Sequence, residues 1–193
     1  MEKKIIAYHY TNPRAYKSMR NPGIDGYLTF GFDNFAGLIP SKRLIGLSKG
    51  KGLPSEAHDG IIEGLLKIEP KSWLSNPEFP HLWEYLMHDI CREKEVMLLS
   101  FELNGKDKAY VIDRAHIERE LYRESKGLGS PTRESRYEAS RKYWESRVPV
   151  FEYDENYSVP QLAIWSGIEF ERLKVEWIKP RAEVWKKVLD NNL

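Results

Sequence analysis

A short apolar run near the N-terminus constrains the fold more than any other feature of the chain. The run Ile5-Ile6-Ala7-Tyr8-His9-Tyr10-Thr11 follows three charged residues and stops at Asn12-Pro13. Apolar, aromatic and β-branched residues in an unbroken short run predict a buried strand. Asn12 can cap a helix with its side chain, and Pro13 suits the first helical position, where no N–H is needed. The chain is therefore expected to begin with a strand that leads directly into a helix.

Polar side chains gather at the end of this predicted strand. His9 lies between two tyrosines and is followed at the second position by Thr11. A buried strand has no need of a histidine, and a strand-to-helix junction can hold a binding site in place. Two interpretations stay open here: His9 binds a ligand, or it is a core histidine whose hydrogen bonds are satisfied beside a turn.

Composition limits the classes of protein to which the chain can belong. It has 193 residues, a formal net charge of +1 and a single cysteine, Cys91. This length favours one domain, 1–193. The near-zero charge provides no global attraction to nucleic acid or anionic membranes, and no apolar run approaches the roughly 20 residues of a membrane span. With no signal-peptide pattern at the N-terminus, the sequence predicts a cytoplasmic protein that does not bind membranes.

Further elements follow along the chain without regular β-α alternation, which favours an α+β fold. A charged segment at about 128–147 predicts an exposed helical insertion, and Asn104-Gly105 is a strong hairpin signal. The other predictions are a helix over Pro54 to Ile68, a hairpin of Glu95 to Leu103 with Lys108 to Ile112, a helix capped by Asp113, strands over Gln161 to Trp165 and Leu173 to Ile178, and a terminal helix over Arg181 to Leu189.

The sequence lacks the motifs of three kinds of functional site: metal centres, hydrolases with a GxSxG elbow, and phosphate-binding loops. The five histidines are scattered without HExxH, paired spacing or CxxC, so no metal site is predicted. The GxSxG elbow of a hydrolase is absent, and Gly46 to Gly52 lacks the spacing of a phosphate-binding loop.

Two segments resemble ADP-ribosyltransferase-like families, including toxin and RNA-repair relatives. The first is Tyr8-His9-Tyr10-Thr11, a helix, then Gly37-Leu38-Ile39-Pro40-Ser41; the second is Val159-Pro160-Gln161-Leu162-Ala163-Ile164 leading through Gly167-Ile168. The resemblance covers both ends of the chain and not its middle. It implies a single α+β domain with split mixed or antiparallel sheets and flanking helices, which binds NAD and transfers ADP-ribose to a protein or nucleic acid.

The resemblance also implies roles for individual residues. His9 and Thr11 would hydrogen-bond the ribose or the nicotinamide amide, an aromatic residue would stack on the nicotinamide ring, and a basic residue would meet the pyrophosphate. The implied cofactor-binding residues are His9, Tyr10, Thr11, Arg14, Tyr27, Phe30 and Arg43, and the implied catalytic residues are His9 and Gln161.

In these families a Glu, Asp or Gln commonly opens this strand and faces the nicotinamide ribose, and Gln161 departs from the acidic form of that pattern. A carboxylate stabilises an oxocarbenium-like transition state directly, whereas glutamine offers only its carbonyl dipole. Glu152 or Glu155 could supply the missing carboxylate, and Gln161 could instead be a plain edge-strand residue. If the resemblance holds, strands beginning near Ile5 and Gln161 should be neighbours in one sheet, so that His9 and Gln161 share a cleft.

Two other functions remain open for the same fold. One is a non-catalytic module that binds a nucleotide or a nucleic acid. The other is RNA 2′-phosphotransfer, for which the sequence shows no clear constellation of arginines.

Overall fold

The computed structural model describes residues 4–20, 37–38, 61–74, 76–79, 82–83, 93–119 and 132–190. Its strands are β1 (Ile5–Thr11), β2 (Gly37–Leu38), β3 (Ile62–Gly64), β4 (Glu95–Leu103), β5 (Ala109–Asp113), β6 (Val148–Pro149), β7 (Pro160–Ile164), β8 (Ile168–Glu169) and β9 (Lys174–Pro180). Its helices are α1 (Pro13–Arg20), α2 (Lys71–Leu74), α3 (Arg133–Glu145) and α4 (Arg181–Asp190), with 3-10 turns at Val150–Glu152 and Phe170–Arg172.

The described strands form three sheets, with orders β1-β4-β9, β3-β7-β5-β6 and β2-β8. Every pairing between these strands is antiparallel. The predicted α+β class is therefore confirmed, with sheets of the antiparallel kind. No helix within the described ranges is long and apolar enough to cross a membrane.

The first strand and helix form as the local sequence predicts. All seven residues of β1 pair with β4, from Ile5 opposite Leu103 to Thr11 opposite Met97. The Asn12 side-chain oxygen accepts a hydrogen bond from the Ala15 N–H at 2.8 Å, which caps α1. The strand-to-helix junction is thus set by residues that are adjacent in sequence.

Among the residues that the structure describes, one isolated bridge joins the two larger sheets. The Tyr8 and Leu65 backbones exchange two hydrogen bonds of 2.9 Å, and this brings β1 alongside β3. Gly64 permits the approach, because a Cβ there would lie 3.1 Å from the Tyr8 carbonyl oxygen and 3.2 Å from Leu162 Cδ2. The strands then follow one path, β9-β4-β1-β3-β7-β5-β6.

The buried apolar side chains form three clusters, one of which contains residues from both larger sheets. Ala7 and Phe101 from the first sheet share a buried cluster with Ile62 and Leu162 from the second. A second cluster surrounds Tyr10 and includes Trp73, Trp83, Leu98 and Val184. A third lies between α3 and the second sheet, with Ile112, Ala163, Tyr143 and Trp144 among its members.

The predicted helix over Pro54 to Ile68 is wrong for the residues described. Ile62–Gly64 is a strand paired with β7, and residues 54–60 lie outside the described ranges. The apolar spacing of Ile61, Leu65 and Ile68 imitates helical periodicity, but long-range pairing with β7 decides the conformation.

The predicted Asn104-Gly105 hairpin is also wrong. β4 pairs with β1 and β9, whereas β5 pairs with β6 and β7, so the two strands flanking this turn belong to different sheets. The turn is held by Asp107, whose carboxylate accepts the Asn104 N–H at 2.8 Å and binds Arg172. A tight turn is present, but the strands on either side of it find other partners.

The segment predicted as an exposed helix at about 128–147 contains α3. Thr132 caps it by accepting the Ser135 N–H at 3.0 Å. Its charged side is solvated, while Ala139, Ser140, Tyr143 and Trp144 are buried against the rest of the protein. The helix is therefore exposed on one side only.

Candidate functional site

Glu63, at the centre of the short strand β3, contacts functional candidates from both large sheets. Its backbone carbonyl oxygen lies 2.8 Å from Nδ1 of His9. Its carboxylate accepts a hydrogen bond from Nε2 of Gln161 at 3.0 Å and lies 3.6 Å from Nη1 of Arg114. The Glu63 side chain keeps 25% of its surface accessible. It is a carboxylate held by two partners that still reaches solvent.

The contact with Glu63 determines the protonation of His9. A carbonyl oxygen only accepts, so Nδ1 of His9 carries the proton and donates it. Burial lowers the pKa of His9, and this outweighs the opposing effect of the hydrogen bond to Glu63. The ring is therefore neutral at pH 7. Its Nε2 is an acceptor without a hydrogen-bond partner among the described residues.

Gln161 is placed differently. It is 1% exposed, and both ends of its amide are bonded. The Tyr143 hydroxyl donates to Oε1 at 2.9 Å, and Nε2 donates to the Glu63 carboxylate. Gln161 therefore supports Glu63, and each of its two polar atoms is bonded within the protein.

Arg114 supports the same carboxylate from the end of β5. Its side chain is 1% exposed, and Nε donates to Glu118 at 2.5 Å. The guanidinium carbon lies 5.6 Å from the ring centre of Trp73, whose Nε1 donates to the Pro160 carbonyl oxygen at 2.9 Å. Two carboxylates thus share one buried guanidinium.

The neighbouring backbone holds the start of β7 in place. Arg114 N–H donates to the Val159 carbonyl oxygen at 2.9 Å. The Asp113 carboxylate accepts the N–H groups of both Ala115 and Val159 at 3.1 Å. Asp113 therefore caps the helical residues 115–119, as predicted, and also ties them to the residue before β7.

The other residues predicted to bind the cofactor lie in different surroundings. Tyr10 is a buried core residue whose hydroxyl donates to the Ile68 carbonyl oxygen at 2.7 Å, and burial raises its pKa. Thr11 is buried at the end of β1. Arg14 is exposed on α1. Tyr27, Phe30 and Arg43 lie outside the described residues.

The expectation that the strands of His9 and Gln161 are neighbours is wrong, because β3 lies between them. By strand alternation, His9 shares the face of Ala7, which packs in one cluster with Leu162. Gln161 is on the opposite face of β7 from Leu162. The two side chains therefore reach Glu63 from two sides rather than facing each other across a cleft.

Sequence reasoning missed Glu63 and Arg114. Glu63 fell within the predicted helix, where one charged residue carries no special signal. A lone carboxylate in the apolar stretch Ile61-Ile62-Glu63-Gly64-Leu65 is the one cue that could have singled it out. Of the alternative carboxylates, Glu155 pairs with Lys67 at 2.8 Å on the surface, and Glu152 is exposed.

Within the described ranges, no group of three or more histidine, cysteine, aspartate or glutamate residues is placed to hold a metal ion. No protein-family model, no curated protein and no solved structure matches the chain.

Proposed function

We propose that the chain binds NAD and transfers its ADP-ribose to an acceptor, a protein or a nucleic acid. The observation that carries the proposal is the partly accessible Glu63 carboxylate, held by Gln161 and Arg114 on the residue that His9 also contacts. Glu63 would provide the negative charge that the neutral Gln161 cannot supply.

His9 is suited to anchor NAD. A neutral imidazole whose Nε2 has no hydrogen-bond partner among the described residues can accept a hydrogen bond, and both a ribose hydroxyl and the nicotinamide amide can donate one. Thr11 follows two residues later on the same face of β1, and the resemblance assigns its hydroxyl to reinforce this contact. The α+β class with antiparallel sheets also supports the proposal.

The Glu63 carboxylate has a clear role in the proposed reaction. The glycosidic bond between ribose and nicotinamide breaks, its electron pair goes to the nicotinamide nitrogen, and positive charge develops on the ribose as an oxocarbenium ion. A fixed carboxylate stabilises that charge. The acceptor then attacks the anomeric carbon and loses its proton.

The test is nicotinamide release from NAD, with Glu63→Gln as the main variant. This change keeps the shape of the side chain and removes its charge, so release should fall by about a hundredfold or more. Glu155→Gln is the matched control, since Glu155 pairs with Lys67 on the surface. If Glu155→Gln abolishes release while Glu63→Gln does not, the carboxylate has been assigned to the wrong segment.

A non-catalytic nucleotide-binding module is the second candidate. It is favoured by the placement of Gln161, since the residue that the resemblance assigns to catalysis is neutral, buried and bonded to other side chains at both polar atoms. NAD binding without any nicotinamide release would select this function over the enzyme.

A further inference from the structure

A chain of hydrogen bonds runs from helix α3 to the Glu63 carboxylate. The Tyr143 hydroxyl donates to Oε1 of Gln161 at 2.9 Å, and Nε2 of Gln161 donates to Glu63 at 3.0 Å. Tyr143 and Gln161 are each 1% exposed, so water does not compete for these bonds. Hydrogen bonds in such surroundings are strong and costly to leave unmade.

The direction of this chain follows from its acceptor. A carboxylate only accepts, so Gln161 must present its NH2 group to Glu63 and its oxygen to Tyr143. A phenol hydroxyl can donate to that oxygen, and this keeps the amide in the required orientation. The Glu63 carboxylate therefore determines which end of Gln161 faces it, and the Tyr143 hydroxyl holds the amide in that orientation by donating to its oxygen.

The C-terminal end of α3 is itself held firmly. The Ser146 hydroxyl donates to the Tyr143 carbonyl oxygen at 2.7 Å and accepts the Asp113 N–H at 3.0 Å. The Tyr157 hydroxyl donates to the Ser146 carbonyl oxygen. Tyr143 is thus fixed relative to the start of the Arg114 segment and to the residues before β7.

We infer that Gln161 is a positioning residue, which Tyr143 holds in place and which in turn holds the Glu63 carboxylate in one conformation for the transition state. The inference rests on the proposed function for its catalytic part. Gln161 does not touch the substrate and acts through Glu63. Arg114 cannot replace it, because Nη1 of Arg114 is 3.6 Å away and the same guanidinium also binds Glu118.

The direct test is the crystal structure of each variant, compared at the Glu63 side chain. Gln161→Met keeps the volume and removes the amide donor, so the Glu63 carboxylate should leave its single conformation and become displaced or adopt several rotamers. Tyr143→Phe, which removes a single oxygen, should displace Glu63 in the same way but by less. Tyr153→Phe is the control, because the Tyr153 hydroxyl contacts the Tyr157 N–H and not this chain. A Glu63 conformation that is unchanged in both Gln161→Met and Tyr143→Phe would overturn the inference.

Nicotinamide release provides the second readout. Both variants should lower kcat by about tenfold with the NAD dissociation constant unchanged, as expected when a catalytic group is displaced. A merely structural role predicts unchanged kcat per folded molecule, and that result would contradict the inference. If the natural chain releases no nicotinamide, the enzyme proposal fails, while the variant structures still decide whether Gln161 positions Glu63.

Discussion

His9 and Gln161 approach the same residue from two sides, and they differ in burial and in which of their polar atoms are bonded. His9 donates from one ring nitrogen and keeps the other as an acceptor. Gln161 uses both its amide oxygen and its amide nitrogen within the protein. The difference separates a side chain that can bind a ligand from one that holds another side chain in place. The Gln161 and Arg114 contacts therefore form the support side of Glu63, and His9 is the candidate ligand-binding residue.

The largest effect on stability is expected at Arg114, on the support side. Arg114→Met leaves the buried Glu118 carboxylate without its partner, and breaking a buried ion pair costs about 3–5 kcal/mol of unfolding free energy. Urea unfolding measures this loss. Lys67→Met is the control, because the side chains of Lys67 and Glu155 are 65% and 67% exposed and such pairs contribute about 1 kcal/mol or less. Equal losses for the two variants would show that the Arg114 cluster is not a buried support.

The substitution Gln161→Glu tests whether residue 161 supports Glu63 or itself occupies the catalytic position of the family motif. Here it replaces a hydrogen bond to Glu63 by a second carboxylate at the same distance, and we expect a loss of about 2–3 kcal/mol at pH 7. The pair binds a proton more tightly when folded than when unfolded. The loss should therefore be absent below the ordinary glutamate pKa of about 4.3 and grow as the pH rises above it.

The activity of Gln161→Glu gives a second comparison. The motif alone predicts faster nicotinamide release, tenfold for each ~1.4 kcal/mol of added transition-state stabilisation. A support role predicts slower release, because Glu63 is displaced. Faster release together with full stability at pH 7 would return residue 161 to the catalytic role.

Gly64→Ala tests the backbone bridge between β1 and β3, which joins the two larger sheets. The added Cβ would meet the Tyr8 carbonyl oxygen at 3.1 Å, and this backbone atom cannot move without disturbing the bridge between β1 and β3. We expect a loss of about 1–3 kcal/mol in chemical denaturation. Gly105→Ala has nothing within 4 Å of its added Cβ and should leave stability nearly unchanged. A Gly64→Ala protein as stable as Gly105→Ala would mean that the close approach is not needed.

The smallest effect concerns the charge on His9. Since burial lowers its pKa below the value of the unfolded chain, the unfolded state binds a proton first as the pH falls. The contribution of His9 to stability should be complete above about pH 6.5 and decline below it. Comparing the natural chain with His9→Gln in pH-dependent thermal unfolding isolates this term. Parallel pH profiles would contradict a neutral, buried ring.

The sequence predicted those parts of the fold that depend on neighbouring residues. The Asn12 cap, the Pro13 helix start and the Asp113 cap all rest on contacts within three positions, and all three are present. The predicted Asn104-Gly105 hairpin does not form because β5 pairs with β7, about 50 residues further along the chain, and not with β4. A local turn signal contains no information about that choice.

The candidate site was partly predictable for the same reason. His9 was recognisable because a histidine in a buried strand is unusual. Glu63 and Arg114 become recognisable only when β3, β5 and β7 are placed side by side, since 98 residues separate Glu63 from Gln161. The bonding of Gln161 likewise depends on Tyr143 from α3, which no spacing rule connects to it.

The most direct test of the central claim is calorimetric titration of NAD into the natural chain and into His9→Ala. We expect measurable binding of NAD to the natural chain. In His9→Ala the affinity should fall by about 1–3 kcal/mol, because a donor of the ligand loses its buried acceptor, while the melting temperature changes little. A protein that binds no NAD, or a His9→Ala variant with unchanged affinity and a collapsed melting temperature, would contradict the account and make His9 a core histidine.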